Sequence, residues 1–230
     1  HPIGKPKKYE ELKALVGESI TNKGVGGEYA FNLWKEHLAK ANVPVDHPRN
    51  LAFVPASPTR AAVMFDLVTS ASSIHGAYWM EGAGGIFCEN EAMKWIVSLT
   101  GLPEGAFGVF TSGGTAANLS AIVTAREYWR EDETYKREKG LIITSIGAHS
   151  SIKAMAKVAD VDILLVESEE RLTGKALSDT IDKLNFHQRK RLFAVVATGG
   201  TTNAGIIDDL EGIADVCEKE NIWFHVDAAY

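Results

Sequence analysis

Residues 192–200 read LFAVVATGG. Six apolar residues in succession, closed by Thr-Gly-Gly, describe a strand buried on both faces rather than one with a wet side. Four further runs have the same character: AFGVFTS (106–112), LIITS (141–145), DILLVE (162–167) and IWFHVDAAY (222–230). Helical patterns fall between them, over residues 115–130, 151–159, 177–187 and 208–219. Five strands alternating with four helices predict an α/β fold, a mostly parallel sheet with helices on both faces.

Upstream the pattern is helical and segmented. YEELKALVGESI (9–20) reads as a short amphipathic helix and GVGGEY (24–29) as a break. EYAFNLWKEHLAKANV (28–43) sets Phe31, Trp34, Leu38 and Ala41 on one helical face, a stripe for core or subunit packing. A proline-punctuated connection, PVDHPRNLAFVPASPT (44–59), leads to a helix near 59–72. The glycine-rich stretch 76–86, GAYWMEGAGGI, reads as a loop, and residues 88–101 as a helix closed by Gly101. The expected division is a helical segment over 1–50 and an incomplete large domain over 51–230.

A chain of 230 residues can bury a sizeable core. The net charge of -6 argues against a nucleic-acid surface, which is basic. No apolar run is long enough to span a bilayer, and no secretory signal is visible. Cys88 and Cys217 have no metal-ligand spacing, so a reduced, cytoplasmic protein is expected.

In open parallel sheets, ligands bind beyond the carboxyl ends of the strands. The first such end carries TSGGTAANLSA (111–121), where Gly113 and Gly114 let backbone approach an anion at a helix start and Ser112 or Thr115 can add a hydroxyl. A plain strand–helix turn capped by Thr115 is the competing reading. The second carries His149, followed by Ser150 and Ser151 as expected helix caps. The fourth carries ATGGTTNAGIIDDL (197–210), with Asp208 as the expected cap of the next helix. At the fifth, alternation puts His225 and Asp227 on one face, and Ala228 and Ala229 leave room for something flat. No neighbouring His, Asp or Glu cluster supports a metal there. Together these ends suit a phosphorylated aromatic cation, and pyridoxal 5'-phosphate fits.

With FVPASPT (53–59), TSGGTAANLSAIVTAR (111–126), GAHSSIKAMAKVA (147–159), VATGGTTNAG (196–205) and HVDAAY (225–230) in this order, the sequence resembles the group II pyridoxal-phosphate-dependent amino acid decarboxylases, the aromatic amino acid and glutamate decarboxylase group. The resemblance runs from about residue 32 to the last. It implies the type I, aspartate aminotransferase-like fold and decarboxylation of an L-amino acid to an amine and carbon dioxide. It implies that Gly113, Gly114 and Thr115 hold the cofactor phosphate. His149 would stack on the pyridine ring near the reacting carbon, and Thr198, with Thr201 a further candidate, would contact the ring. Asp227 would pair with the ring nitrogen and Ala229 would pack on the other face. His149 and Asp227 are thus the expected catalytic pair.

Phe53 and Pro55 lie where the family meets the substrate side chain, and Trp79, Glu81 and Glu89 are further candidates for specificity. The resemblance also implies a homodimer wrapped by the N-terminal helices. The family's Schiff-base lysine follows its HVDAAY motif, and no lysine of this sequence stands in that context. Residues 1–230 alone are therefore expected to be inactive and to work with a C-terminal polypeptide carrying that lysine. A lyase or aminotransferase-like enzyme of the same fold, and a non-catalytic binding protein, are the alternatives.

Overall fold

The computed structural model describes residues 6–50, 56–167 and 170–229. The chain divides into two compact units, His1–Cys88 and Glu89–Tyr230.

In the first unit, α1 (Tyr9–Val16) ends at Gly17, whose φ of 68° suits glycine at a helix exit. The second helix, α2 (Gly27–Leu33), continues through a π turn (Trp34–Leu38) into a 3-10 turn (Ala39–Ala41). Widening and tightening of the winding breaks the regular stripe expected of Phe31, Trp34, Leu38 and Ala41: only Ala41 is buried, while Phe31 and Trp34 stack on one another in the open. Thr59 caps α3 (Arg60–Ser72), accepting from the Ala62 N–H. The loop expected over 76–86 is corrected, because α4 (Trp79–Thr100) already covers most of it. Gly82 alone leaves helical geometry, and a Cβ there would lie 2.6 Å from the His75 carbonyl oxygen. The helix runs past the division between the units and ends at Gly101, as expected.

The second unit is built on four parallel strands: β1 (Leu141–Ser145), β2 (Asp162–Val166), β3 (Leu192–Thr198) and β4 (Trp223–Asp227), in the order β2-β1-β3-β4. The predicted first strand, residues 106–112, is not a strand among the described residues. No ladder partner lies beside it, Phe107 and Phe110 stay exposed, and the Phe110 N–H is taken instead by the Glu89 carboxylate at 2.9 Å. Helices α5 (Gly114–Trp129) and α6 (Ser150–Val158) cover one face of the sheet. There Ile122, Ile152 and Met155 pack on Ile142, Ala194 and Val196. On the other face lie α7 (Gly174–Asp182) and α9 (Leu210–Glu220), with Leu177, Ile181, Ile213 and Cys217 against Ile143 and Val195. The close crossing of α7 and α9 requires glycine, since a Cβ on Gly174 would sit 2.3 Å from the Gly212 carbonyl oxygen. The single helix expected over 177–187 is two: α7 stops, and Asn185 opens α8 (Phe186–Arg191) through a reciprocal capping box with Gln188.

Sheet order also locates the crevice. From β1 the chain crosses to β2 on one side, and from β3 to β4 on the other. The carboxyl ends of the adjacent strands β1 and β3 are therefore the switch point at which such sheets bind ligands.

Candidate active site

Gly113 precedes α5 at the N-cap position with φ of 154° and offers no capping side chain. The helix start is thus an uncapped set of N–H groups with the positive end of the helix dipole behind it. Thr115 is not the cap. It lies exposed in the first turn, beside Gly114. A Cβ on Gly114 would lie 3.1 Å from the Ala229 Cβ, so the start of α5 and the end of β4 close on each other. The same closeness recurs between β3 and β4, where a Cβ on Gly199 would meet the Ala228 Cβ at 2.9 Å.

Asp227 ends β4 and is 9% exposed. Its Oδ2 accepts from Asn118 Nδ2 at 3.0 Å, and its Oδ1 receives only a long 3.4 Å contact from the Ala229 N–H. Among the described residues no lysine or arginine pairs with it. His225, on the same face of β4, sits with Nε2 2.8 Å from Asn118 Oδ1. Burial lowers the His225 pKa below its ordinary value, and the neighbouring Asp227 opposes that shift.

Thr198 ends β3, is 3% exposed, and its Oγ1 is buried without a hydrogen-bond partner. Asp208, expected to cap α9, is instead buried beside it. Its Oδ2 accepts from the Thr198 N–H at 2.7 Å and its Oδ1 from the Leu172 N–H at 2.8 Å. The cap is Asp209, which accepts from the Gly212 N–H. Thr201 lies in the turn after β3, where its Oγ1 accepts from the Ile206 N–H. That turn abuts the one after β1, a Cβ on Gly147 falling 3.8 Å from the Thr201 methyl.

His149 itself caps α6, displacing the expected Ser150 and Ser151: its Nδ1 accepts from the Ser151 N–H at 3.2 Å and lies 2.9 Å from Ser151 Oγ. The imidazole is exposed. Ser151 is buried and in turn receives Asn118 Nδ2 at 3.3 Å.

Hydrogen bonds and close contacts thus tie Gly114 to Ala229, and Asp227 through Asn118 and Ser151 to His149. Thr198 pairs with Asp227 across the last rung of β3 and β4. Phe53 and Pro55 lie outside the described residues. Trp79 is exposed, Glu81 is bound to His75 Nδ1 at 2.6 Å, and Glu89 holds residue 110. Sequence reading passed over Asn118, Ser151 and Asp208 as parts of the site. The signal for Asn118 was its place: residues 114, 118, 122 and 125 share one helical face, and a polar side chain between Gly114 and Ile122 on a buried face needs partners.

The model for the pyridoxal-dependent decarboxylase conserved domain matches residues 11–230. The chain belongs to the pyridoxal-dependent decarboxylase family. It is 31% identical to an aromatic-L-amino-acid decarboxylase of Bacillus atrophaeus, across all of this chain and 48% of that protein. It is 32% identical to an L-2,4-diaminobutyrate decarboxylase of Rhizobium meliloti, across 81% of this chain and 38% of that one. Among solved structures, mouse CSAD superposes with a TM-score of 0.86 at 26% identity, covering 99% of this chain and 49% of the other. A glutamate decarboxylase domain from Vibrio parahaemolyticus shares the fold, with a TM-score of 0.89 at 24% identity, covering all of this chain and 53% of the other. The fold is the type I fold of pyridoxal-phosphate decarboxylases, and the chain spans about half the length of the curated relatives it matches. Among the described residues no helix is long and apolar enough to cross a membrane, and no cluster of His, Cys, Asp and Glu could hold a metal ion.

Proposed function

We propose that this chain supplies the cofactor-binding half of a pyridoxal 5'-phosphate-dependent L-amino acid decarboxylase. The observation that carries the reading is Asp227, a buried carboxylate at the ligand edge of the sheet with which no lysine or arginine pairs among the described residues. A buried carboxylate calls for a cation, and a protonated pyridine is a flat one. The remaining groups fit the same molecule. An uncapped helix start with Gly113, Gly114 and Thr115 suits its phosphate. The unpartnered Thr198 Oγ1 suits a polar substituent of the ring, and Ala229 leaves flat space. Thr201 accepts from the Ile206 N–H within its own turn, which orients the side chain and leaves its O–H free to donate.

When bound, the cofactor offers an electron sink for the pair left behind as a carboxylate departs as carbon dioxide. In this reading Asp227 holds the proton on the ring nitrogen, His149 covers a ring face beside the reacting carbon, and Thr198 fixes the ring's tilt. Phe53 and Pro55 remain the proposed contacts to the substrate side chain. A C-terminal polypeptide carrying the nucleophilic lysine and a second copy of the chain complete the proposed enzyme. The exposed Phe31–Trp34 pair in residues 1–50 supports a partner-wrapping role for that segment. The free thiols Cys88 and Cys217 suit a reducing compartment, and the cytoplasm is the proposed location.

The test is release of carbon dioxide from a panel of aromatic, acidic and diamino L-amino acids by the chain completed with the lysine-bearing C-terminal polypeptide and loaded with pyridoxal 5'-phosphate. Release from at least one class is expected. Amino-group transfer without carbon dioxide would overturn the reading.

A further inference from the structure

His225, Asn118, Asp227, Ser151 and His149 form one connected hydrogen-bond chain, and elementary donor–acceptor rules fix its direction. A carboxylate only accepts, so the Asn118 atom facing Asp227 Oδ2 must be the amide nitrogen. That sets the amide's orientation. Its second N–H goes to Ser151 Oγ, and its oxygen faces His225 Nε2. His225 must therefore carry its proton on Nε2. At the other end, a backbone N–H only donates, so His149 Nδ1 must be the unprotonated nitrogen that accepts from Ser151 N–H. With Asn118 donating to it, the Ser151 hydroxyl keeps its own hydrogen for the same Nδ1.

We propose that Asn118 is a positioning residue that joins the Asp227 contact to the His149 contact, and so pre-organises both. This rests on the reading of Asp227 and His149 as cofactor contacts. By occupying Oδ2, Asn118 leaves Asp227 Oδ1, which has only the long contact to Ala229 N–H, as the oxygen for the ring nitrogen. Through Ser151 it also helps hold His149 so that the edge outside the network bears an N–H at Nε2. Asn118 is 3% exposed and Ser151 is 5% exposed, so water does not substitute for either arm. The two sides of the site are thereby one unit. A change at position 118 is felt at His225, at the cofactor and, through Ser151, at His149, whereas a change at Ser151 is felt first at His149 and leaves the Asn118 contacts to Asp227 and His225 in place.

The experiment uses full chain labelled with ¹⁵N at histidine, the His149 and His225 signals being assigned with His149→Gln and His225→Gln. Cofactor affinity is measured by titrating pyridoxal 5'-phosphate. Both imidazoles are expected as the Nε2–H form without cofactor. Asn118→Leu should release His225 from that form and weaken cofactor binding about tenfold or more, the scale of leaving buried polar groups unpaired. Ser151→Ala should shift the His149 signals and leave those of His225 in place. If Asn118→Leu does not fold, the isosteric Asn118→Asp replaces it. Two carboxylates then face each other, and the same loss of affinity is expected. An Nδ1–H form at either histidine, or unchanged His225 signals and affinity in the position-118 variant, would overturn the proposal. If the unmodified chain does not bind the cofactor, the functional reading falls instead, and the tautomers still judge the network.

Discussion

Phe65 in α3 is 72% exposed, and Phe193 in β3 is 4% exposed. The two phenylalanines stand for two regions built on different terms. In the second unit helices lie on both faces of the sheet, so the apolar residues of β1 and β3 are buried whichever way they point. In the first unit α1, α2 and α3 contain no buried residue, and their apolar side chains lie open on the unit itself. The sheet region carries its own core and the candidate site. The helical region carries surface that only another body would cover, which is why a partner-wrapping role is proposed for it.

The sharpest way to break that contrast is thiol chemistry. Cys217 is packed under the sheet and burial pushes its pKa up to about 12, whereas Cys88 in the helical unit is exposed. With few thiolates and no access, Cys217 should react with a maleimide at least about 10²-fold more slowly than Cys88. Equal rates, read by mass spectrometry of the two peptides, would mean that the second unit is not packed as described. Next in size is Asp227→Asn. In the enzyme completed by the lysine-bearing polypeptide it should lower turnover by about 10²-fold or more, the scale of one preorganised electrostatic contact, with a melting temperature close to the parent's. Near-normal turnover in a folded variant would remove Asp227 from the chemistry.

The same substitution in the two regions should have opposite signs. Gly174→Ala drives a methyl group into the Gly212 backbone and should cost about 1–3 kcal/mol or more of stability. Gly84→Ala, inside α4 with nothing within 4 Å of the new Cβ, should be neutral or stabilising by up to about 1 kcal/mol. Denaturant midpoints moving the same way for both would contradict the packing contrast. The smallest effect is the pH dependence at His225. Its pKa is lowered in the fold, so as pH falls through 6.5 the unfolded chain takes up a proton that the folded one resists. Stability from this group is complete above that range and declines below it, down to the folded pKa. His225→Gln should flatten the denaturation midpoint across that window.

The sheet was legible in the sequence because a strand buried on both faces writes itself as an unbroken apolar run. LIITS and LFAVVAT leave little else to read. Residues 106–112 carry a similar run, yet a strand is a property of two segments, and among the described residues no ladder partner lies beside this one. Residues 79–86 read as a loop for the converse reason: glycine lowers local helix propensity, but α4 accommodates three glycines there with a kink at Gly82 alone. Asp227 and His149 were legible because their strand ends are. Asn118, Ser151 and Asp208 were not, since each has an ordinary local reading as helix filler or cap. Their partners lie 109, 33 and 36 residues away. What joins them is the burial of polar groups that must find one another, which only the packed sheet decides.

The central claim is that the carboxyl edge of β1, β3 and β4 is a pyridoxal 5'-phosphate site. It is tested most directly by titrating the full chain and its Gly114→Val variant with the cofactor, followed by absorbance and calorimetry. The account predicts saturable binding of one cofactor per chain, weakened at least about tenfold when the new side chain presses on Ala229 at the start of α5. No binding by the full chain, or the same affinity in both, would contradict it.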